Sequence, residues 1–319
     1  MTDTVAPAIV VSYSELDTYR QCPLKHLLAY KHRFRKPPEA FSALSKGSLW
    51  HEVLEHHYEA IRRDQAGRGG KPVPLRSEPK FLRELRAEIL QELLTDDAGE
   101  QSETQALIEW MYDGYVEQYG TDRDWEILAV EHAAQFLLPT QQYSPVPVEI
   151  KMKLDLVVKD RKTGKVWIID HKSGANLPSQ MDLEIDDQFG LYTWGMTRHT
   201  KWKPVGSIHS AARTTRNQAD FPDYAGKSKP QTLEQRMHRT FLNRTDQELE
   251  NVANDAAAAA VNAYAAELEV AQLPVYSSPD PRQCGWKCDF KEAHLMARQG
   301  RPMDLALADQ GFIQDFTRH

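Results

Sequence analysis

Cysteine and long apolar runs are both scarce in this chain of 319 residues. Only three cysteines occur, and an odd number in a chain of this length does not suit a framework of disulfides. No apolar run is long enough for a membrane span, and residues 1–11 lack the basic segment that opens a signal peptide. No phosphate-binding loop of the type G-x-x-x-x-G-K-[ST] occurs, so we expect no ATP-driven motor. These absences predict a cytoplasmic protein without a membrane partner.

Positive charge is also in the minority, because 39 Lys and Arg stand against 46 Asp and Glu. The basic residues are nevertheless concentrated in two tracts. Residues 20–36 contain six Lys or Arg and no acid, and residues 198–244 contain ten against three acids. Each tract alone is as typical of a solvated surface as of a binding site. Because the two tracts flank an acidic motif, they favour a groove for phosphate groups.

The hydrophobic patterns predict an α+β protein with an α/β-like core. Helical spacing is found at 47–62, 81–94, 104–119, 188–196 and 249–270, with a break near Cys22 and Pro23. Patterns typical of β-strands occur at 125–138, 149–158, 166–170 and 205–212. We expect one domain over residues 1–319, with a mostly helical part at 12–120, a catalytic core at 125–245 and a helical part at 246–319.

Two aspartates interrupt neighbouring apolar strands of this core. Asp155 lies in the first strand and Asp170 ends the second, with the polar turn 159–165 between them. A hairpin of this kind brings both carboxylates to one end of the sheet. A buried carboxylate is costly unless it is paired, and Mg²⁺ commonly binds one or two carboxylates together with waters and phosphate. The pattern therefore predicts a divalent metal site.

A lysine follows the second aspartate at a spacing of two. Strand alternation places Asp170 and Lys172 on the same face, where the lysine can orient or deprotonate a water and offset charge on a phosphorane. His171 points to the other face, and its backbone carbonyl is a candidate metal ligand. Metal-dependent hydrolysis of a phosphodiester needs these groups. A D-x-K triplet alone is also typical of a surface ion pair.

Five short motifs occur in the order of a known family. They are the opening helix from Ser14 to Pro23, the G-x-x-x-H spacing from Gly47 to His51, Asp155, the D-x-K-S-G motif from Asp170 to Gly174, and the Q-x-x-x-Y spacing from Gln188 to Tyr192. Each is weak alone. In this order, and over most of the chain, they make the sequence resemble the RecB-like and Cas4-like branch of the PD-(D/E)XK nuclease superfamily, which includes phage-encoded exonucleases.

The resemblance implies a restriction-endonuclease-like fold with a small central mixed sheet flanked by helices. It also implies that His51 joins Asp155 and Asp170 as a ligand of Mg²⁺ or Mn²⁺, with Lys172 assisting the attacking water. The location would be the host cytoplasm if the gene belongs to a phage.

DNA contacts are implied for a further set of residues. In the family, the helix of the Q-x-x-x-Y motif lies beside the active site and approaches DNA, which gives Gln188 and Tyr192 both a catalytic and a DNA-binding role. Tyr192 could equally be a core aromatic. Arg213 and Arg216, from the second basic tract, are further candidates for binding the DNA backbone.

The cysteines match a second site of the family. In many relatives one cysteine near the N-terminus joins three near the C-terminus to hold a [4Fe–4S] cluster. Cys22, Cys284 and Cys288 match the first three positions, but His294 stands where the last cysteine is expected. A Cys₃His set can bind an iron–sulfur cluster or a structural zinc ion. Three buried thiols without a metal are the third alternative.

The resemblance implies a metal-dependent DNA exonuclease that acts on linear, single-stranded or end-frayed DNA. The setting would be recombination, repair or phage DNA metabolism, with a recombinase or a single-strand annealing protein as candidate partner. Two alternatives stay open at this point: a non-catalytic DNA-binding or recombination scaffold on the same fold, and an endonuclease. The sequence gives neither the polarity of digestion nor the oligomeric state.

Overall fold

The computed structural model describes residues 9–37, 42–95, 99, 101–140, 146–270, 282, 284–285 and 288–316. Its helices are α1 Tyr13–Gln21, α2 Pro23–His26, α3 Ala43–Gly67, α4 Glu78–Leu93, α5 Glu103–Tyr119, α6 Gln180–Ile185, α7 Asp187–His199, α8 Leu233–Arg236, α9 Asp246–Val270, α10 Lys291–Arg298 and α11 Met303–Asp309. Its strands are β1 Ile9–Ser12, β2 Phe34–Arg35, β3 Trp125–Leu137, β4 Val148–Asp160, β5 Val166–Gly174, β6 Ser207–Arg213, β7 Met237–Leu242 and β8 Ile313–Gln314. None of the helices in the described part of the chain has the length and apolar character needed to cross a membrane.

Two compact units make up the chain. One comprises Met1–Pro38, Gln135–Met152 and Asn251–His319, and the other comprises Glu39–Ala134 and Lys153–Glu250. We refer to them as the terminal unit and the core unit. The predicted active-site residues from His51 to Arg216 all belong to the core unit.

The sheet of the core unit is mixed. β5 pairs with β4 in antiparallel and with β6 in parallel orientation, and β7 pairs with β6 in antiparallel orientation. The parallel pair is joined by a crossover that contains α6 and α7, as parallel strands require. β3 also pairs with β4. The predicted mixed sheet flanked by helices is thereby confirmed.

Helices α3 and α5 pack against that sheet, and α4 packs against these two helices. Their fully buried side chains include Trp50, Leu54, Ile89 and Met111, which pack in one cluster with apolar residues of β4, β5 and β6. Burial of a side chain of this size stabilises the fold by about 1.5–3 kcal/mol. The helix that carries His51 is therefore held firmly against the sheet.

The predicted helices are confirmed with wider bounds. α3 begins at Ala43 rather than at residue 47, because the Ser42 hydroxyl caps it by accepting the N–H of Ser45 at 3.1 Å. The predicted break near Cys22 is also confirmed, because α1 ends at Gln21 and α2 begins at Pro23. Strands β1, β2, β7 and β8 were not predicted. β7 lies inside the second basic tract, where charge obscures the strand pattern.

The terminal unit contains a separate small core. Leu24, Leu28, Phe290 and Phe312 are buried there, and Phe290 stacks on Phe312 with ring centroids 4.7 Å apart. β1 pairs in parallel with the first residues of β4, and β2 pairs with β8. Cys22 and Cys288 pack against this core.

Candidate active site

Helix α3 brings His51 to the aspartate of β4. The Nδ1 atom of His51 lies 3.4 Å from Oδ2 of Asp155. Burial by itself would lower the pKa of His51, but the carboxylate of Asp155 outweighs this and holds the pKa above its usual value. Asp155 also accepts a hydrogen bond at 2.7 Å from the backbone N–H of His171, which ties β4 to β5 at this point.

The second aspartate and the lysine form an ion pair on β5. The Nζ atom of Lys172 lies 3.0 Å from Oδ1 and 2.8 Å from Oδ2 of Asp170. The Asp170 side chain is 8% exposed, whereas that of Lys172 is 43% exposed. Burial raises the pKa of Asp170 to about 6, and the charge of Asp155 adds to this effect while Lys172 opposes it. A second positive charge beside Asp170 would stabilise its ionised form.

The strand register explains why these groups meet. Leu156 lies opposite Ile169, so the next step along the hairpin brings Asp155 beside Asp170. On the other side of β5, Lys172 lies opposite Ala211 of β6. Electrostatic interactions link Asp170 to both Asp155 and His51. The structure therefore brings together all four residues of the predicted motif set.

Helix α7 adds the predicted glutamine and tyrosine. Gln188 and Tyr192 are four residues apart, on one side of the helix, and the Gln188 amide donates to the Tyr192 hydroxyl at 3.2 Å. Tyr192 is buried and interacts electrostatically with Asp170 and Lys172. Tyr192 thus lies near the ion pair, and Gln188 contacts Tyr192. Their catalytic and DNA-binding roles stay a prediction.

The two predicted arginines occupy different surroundings. Arg213 lies opposite Gly174 in the β5–β6 register, and its guanidinium donates to the carbonyl oxygens of Gln235 at 3.0 Å and Ala175 at 3.2 Å. Arg216 lies 3.6 Å from a carboxylate oxygen of Glu103 and 5.0 Å from the ring centre of Tyr224.

Arg213 borders a cavity of about 500 Å³ that is also lined by Lys229. None of the described residues around it is acidic. The other lining residues are Ala175, Asn176, Thr215, Ser228, Pro230, Gln231 and Gln235. Because Arg213 is two register positions beyond the partner of Lys172, this cavity begins about 7 Å along the strand from the lysine.

His171 lies on the opposite face of β5. Its ring is buried and stacks on Tyr58 with centroids 5.6 Å apart, and burial lowers its pKa to about 3. The imidazole is therefore neutral near pH 7. A metal-binding role for the His171 backbone carbonyl stays a prediction.

Behind His171 is a buried polar group that we call the arginine cluster, formed by Arg239, Asp122, Tyr58 and Tyr115. Arg239 of β7 binds Asp122 through two hydrogen bonds of 2.7 and 2.8 Å, and it donates to both tyrosine hydroxyls. The prediction that included this arginine in a tract for the DNA backbone is wrong. Arg239 cannot serve that role because its side chain is buried in an ion pair.

One acidic residue of the site was not predicted. Glu131 of β3 offers a carboxylate oxygen that lies with His51 and Asp155 in a group whose ligand atoms are all within 4.8 Å of one another. Burial raises the pKa of Glu131, and its carboxylate pairs with Lys153. Glu131 has a φ of 49°, which is uncommon for a residue with a side chain. No sequence motif marks this position, so spacing alone could not have found it.

The ligand atoms of His51, Glu131 and Asp155 fit a divalent cation. They combine one imidazole with carboxylate oxygens, and carboxylate oxygens are the ligands that Mg²⁺ and Mn²⁺ prefer. The carboxylates of Asp155 and Asp170 are buried with only partial charge compensation, which a cation would complete. His51, Asp155 and Asp170 are the residues of the predicted motif set that would hold it.

The predicted cysteine site lies in the terminal unit. Cys22, Cys284 and Cys288 are free, and the thiols of Cys22 and Cys284 both influence the pKa of Cys288, which burial raises. In the described part of the chain, the ligand atoms of these cysteines and His294 do not form a group within 4.8 Å. Burial and the positive charge of Arg298 lower the pKa of His294. An iron–sulfur or zinc centre at this place stays a prediction.

The mixed sheet flanked by helices and a donor set that fits a divalent cation are features of hydrolases that cut nucleic acids with the help of metal ions. The family comparison is more specific, because the model of the PD-(D/E)XK nuclease superfamily matches residues 10–293. This chain belongs to the PD-(D/E)XK nuclease superfamily. The predicted resemblance at the level of the superfamily is thereby confirmed.

Two solved structures that match the chain are distant from it in sequence. A protein from Eubacterium rectale, named as a "Putative exonuclease", is 12% identical, with a TM-score of 0.43, and the match covers 92% of this chain and 95% of that one. The protein SSO0001 is also 12% identical, with a TM-score of 0.31 and coverage of 68% and 77%. No curated protein matches the chain.

Proposed function

We propose that this nuclease is a metal-dependent DNA exonuclease whose active centre consists of His51, Asp155, Asp170 and Lys172. The observation that carries the proposal is the convergence of these four side chains around two adjacent strands, with Asp155 in contact with His51 and Asp170 in contact with Lys172. The exonuclease mode and linear DNA as substrate follow from the resemblance seen in the sequence.

Each residue has a role that its environment supports. A bound Mg²⁺ or Mn²⁺ would supply a Lewis acid for the phosphate and lower the pKa of a bound water. His51 must be neutral to act as a ligand, so its proton has to leave before the cation binds. Lys172 is half-exposed and holds its positive charge beside Asp170, where it can orient the water and stabilise negative charge on the phosphate.

A path for the DNA strand follows from the cavity that Arg213 and Lys229 line. Arg213 is oriented by its two hydrogen bonds to backbone carbonyls, so it is preorganised to donate its remaining N–H groups to a phosphate. The cavity begins about 7 Å along the protein strand from Lys172, which is within reach of a neighbouring phosphate of a bound DNA strand. We therefore assign this cavity to the phosphate next to the one that is cleaved.

The test is digestion of three DNA substrates by the full chain, with Mg²⁺ or Mn²⁺ and with a chelator. The substrates are linear DNA labelled at the 5′ end, linear DNA labelled at the 3′ end, and covalently closed circular DNA. We expect metal-dependent release of label from linear DNA and no cleavage of the circle. Cleavage of the circle would replace the exonuclease with an endonuclease. Binding without cleavage of any substrate would indicate a non-catalytic DNA-binding protein.

A further inference from the structure

We propose that Glu131 is a direct ligand of the divalent cation, together with His51 and Asp155. This inference rests on the proposed metal-dependent nuclease function and concerns which residues of this chain hold its cation. Glu131 belongs to none of the motifs in the sequence. It lies on β3, which pairs with the strand that carries Asp155.

The distances fit a single ion. Each of the three residues offers one ligand atom within 4.8 Å of the other two, and His51 Nδ1 is 3.4 Å from Asp155 Oδ2. Metal–ligand distances of about 2.0–2.2 Å place ligand atoms at most about 4.4 Å apart. A small side-chain movement therefore suffices for all three to bind one ion. Asp170 lies outside this group of three and contacts Lys172 instead.

The surrounding cavity is negatively charged and large enough for a hydrated ion. It has a volume of about 480 Å³. Among the described lining residues, the basic ones are His51 and Lys153. Four are acidic: Glu52, Glu55, Glu131 and Asp155. Such a concentration of carboxylates raises the local concentration of cations. Mg²⁺ usually keeps several waters, for which this volume leaves room.

Lys153 competes with the cation for the carboxylate of Glu131. Its ammonium group pairs with Oε2 of Glu131, and its side chain is 64% exposed whereas that of Glu131 is 12% exposed. An ion pair with so exposed a lysine is weak, so a divalent cation can displace the ammonium group. The simpler alternative is that Glu131 serves only as the partner of Lys153. The two alternatives predict different effects of removing the lysine: tighter binding of the cation if Glu131 is a ligand, and unchanged binding if Glu131 serves only Lys153.

The experiment is a calorimetric titration of the metal-free full chain with Mn²⁺, in the absence of DNA. The variants are Glu131→Gln and Lys153→Met. Glu55→Gln is the matched control, because it removes the same charge from the same cavity without touching the group of three ligands. We expect Glu131→Gln to raise the Kd for Mn²⁺ at least about tenfold. Lys153→Met should lower it about two- to fivefold, and Glu55→Gln should change it less than Glu131→Gln does.

Circular dichroism shows whether each variant is folded. If the unsubstituted chain binds Mn²⁺ and cleaves DNA, an unchanged Kd in folded Glu131→Gln would overturn the assignment of Glu131 alone. Equal losses in Glu131→Gln and Glu55→Gln would also overturn it, because they would indicate a general charge effect. Failure of the unsubstituted chain to bind Mn²⁺ would remove the proposed function as well.

Discussion

Two aspartate–cation pairs lie on opposite sides of the sheet, in contrasting environments. On one face, Asp170 pairs with Lys172, whose side chain is 43% exposed. On the opposite side of the sheet, Arg239 of β7 pairs with Asp122, and both side chains are only 9% exposed. Tyr58 connects this second pair to β5, because it donates to Asp122 and stacks on His171.

The difference lies in how completely each pair is satisfied. Arg239 binds Asp122 with two parallel hydrogen bonds and has two tyrosine hydroxyls as further partners. Among the described residues, Asp170 forms an ion pair with the half-exposed Lys172, and burial raises the pKa of Asp170 to about 6. A fully paired buried ion is typical of a structural role, whereas a perturbed carboxylate in an accessible site is typical of chemistry. The contrast supports the proposal that the face of Asp170 carries catalysis, while the pair of Asp122 and Arg239 contributes stability.

The largest effect is expected for Lys172→Ala, which should lower the rate of DNA cleavage. We expect the rate of DNA cleavage to fall about 10²- to 10⁴-fold, because the positive charge beside the reacting phosphate is lost. DNA binding should stay nearly intact. Single-turnover cleavage in Mg²⁺ and binding in Ca²⁺ measure the two effects, with the exposed Lys165→Ala as control. Wild-type digestion by Lys172→Ala would contradict the assigned role.

Arg239→Met should act on stability instead. It leaves the buried carboxylate of Asp122 without its counter-charge, and we expect a loss of about 3–5 kcal/mol in the free energy of unfolding. Arg198→Met, which breaks an exposed ion pair with Glu250, should cost at most about 1 kcal/mol. Urea denaturation compares the two. If Arg239→Met retains full stability and loses cleavage, the structural role of Arg239 is contradicted.

His171→Phe should change how stability depends on pH. The folded pKa of His171 is about 3, below the value of about 6.5 in an unfolded chain, so the unfolded state takes up a proton that the folded state excludes. Stability is therefore lost as the pH falls through this window. The phenylalanine of the His171→Phe variant can keep the ring stack on Tyr58 but cannot titrate. The slope between pH 6 and 4 should therefore be smaller by about 1.4 kcal/mol per pH unit.

Urea unfolding in the presence of a chelator, at pH 4, 5 and 6, measures that slope. The control is His238→Phe, because the side chain of His238 is exposed. Equal slopes for the unsubstituted chain and His171→Phe would show that His171 takes up a proton in the folded state, contrary to its buried environment.

The smallest effect is expected for Lys229→Gln in the phosphate cavity. Loss of one phosphate contact should reduce the slope of log K against log salt concentration by about 0.7–0.9. Binding of a single-stranded oligonucleotide at several salt concentrations in Ca²⁺ gives the slope, with Lys165→Gln as control. An unchanged slope for Lys229→Gln would exclude this cavity from the path of the DNA.

The sequence was informative where chemistry follows from local spacing. Alternation placed Asp170 and Lys172 on one face, and the hairpin placed Asp155 beside them, because both depend only on neighbouring residues of the chain. The G-x-x-x-H motif added His51 through the resemblance to a family. Each of these positions has a short-range pattern that can be recognised without a structure.

Glu131 and Arg239 could not be assigned in that way. Glu131 reaches the site because β3 pairs with β4 and because its backbone adopts a positive φ, and neither feature leaves a pattern in the sequence. In the sequence, Arg239 does not differ from the other arginines of its basic tract. In the fold, β7 directs it towards Asp122, which is 117 residues away in the chain. Long-range pairing decides both cases, and periodicity does not report it.

The most direct test of the central claim compares Asp170→Asn with the exposed Asp124→Asn in cleavage of end-labelled linear DNA, with Mn²⁺ and with a chelator. We expect rapid cleavage in Mn²⁺ by the unsubstituted chain and by Asp124→Asn. Asp170→Asn should lose at least about 10²-fold in rate, and none of the three proteins should cleave in the chelator. Cleavage that persists in the chelator, or that Asp170→Asn retains in full, would contradict a metal-dependent centre built on Asp170.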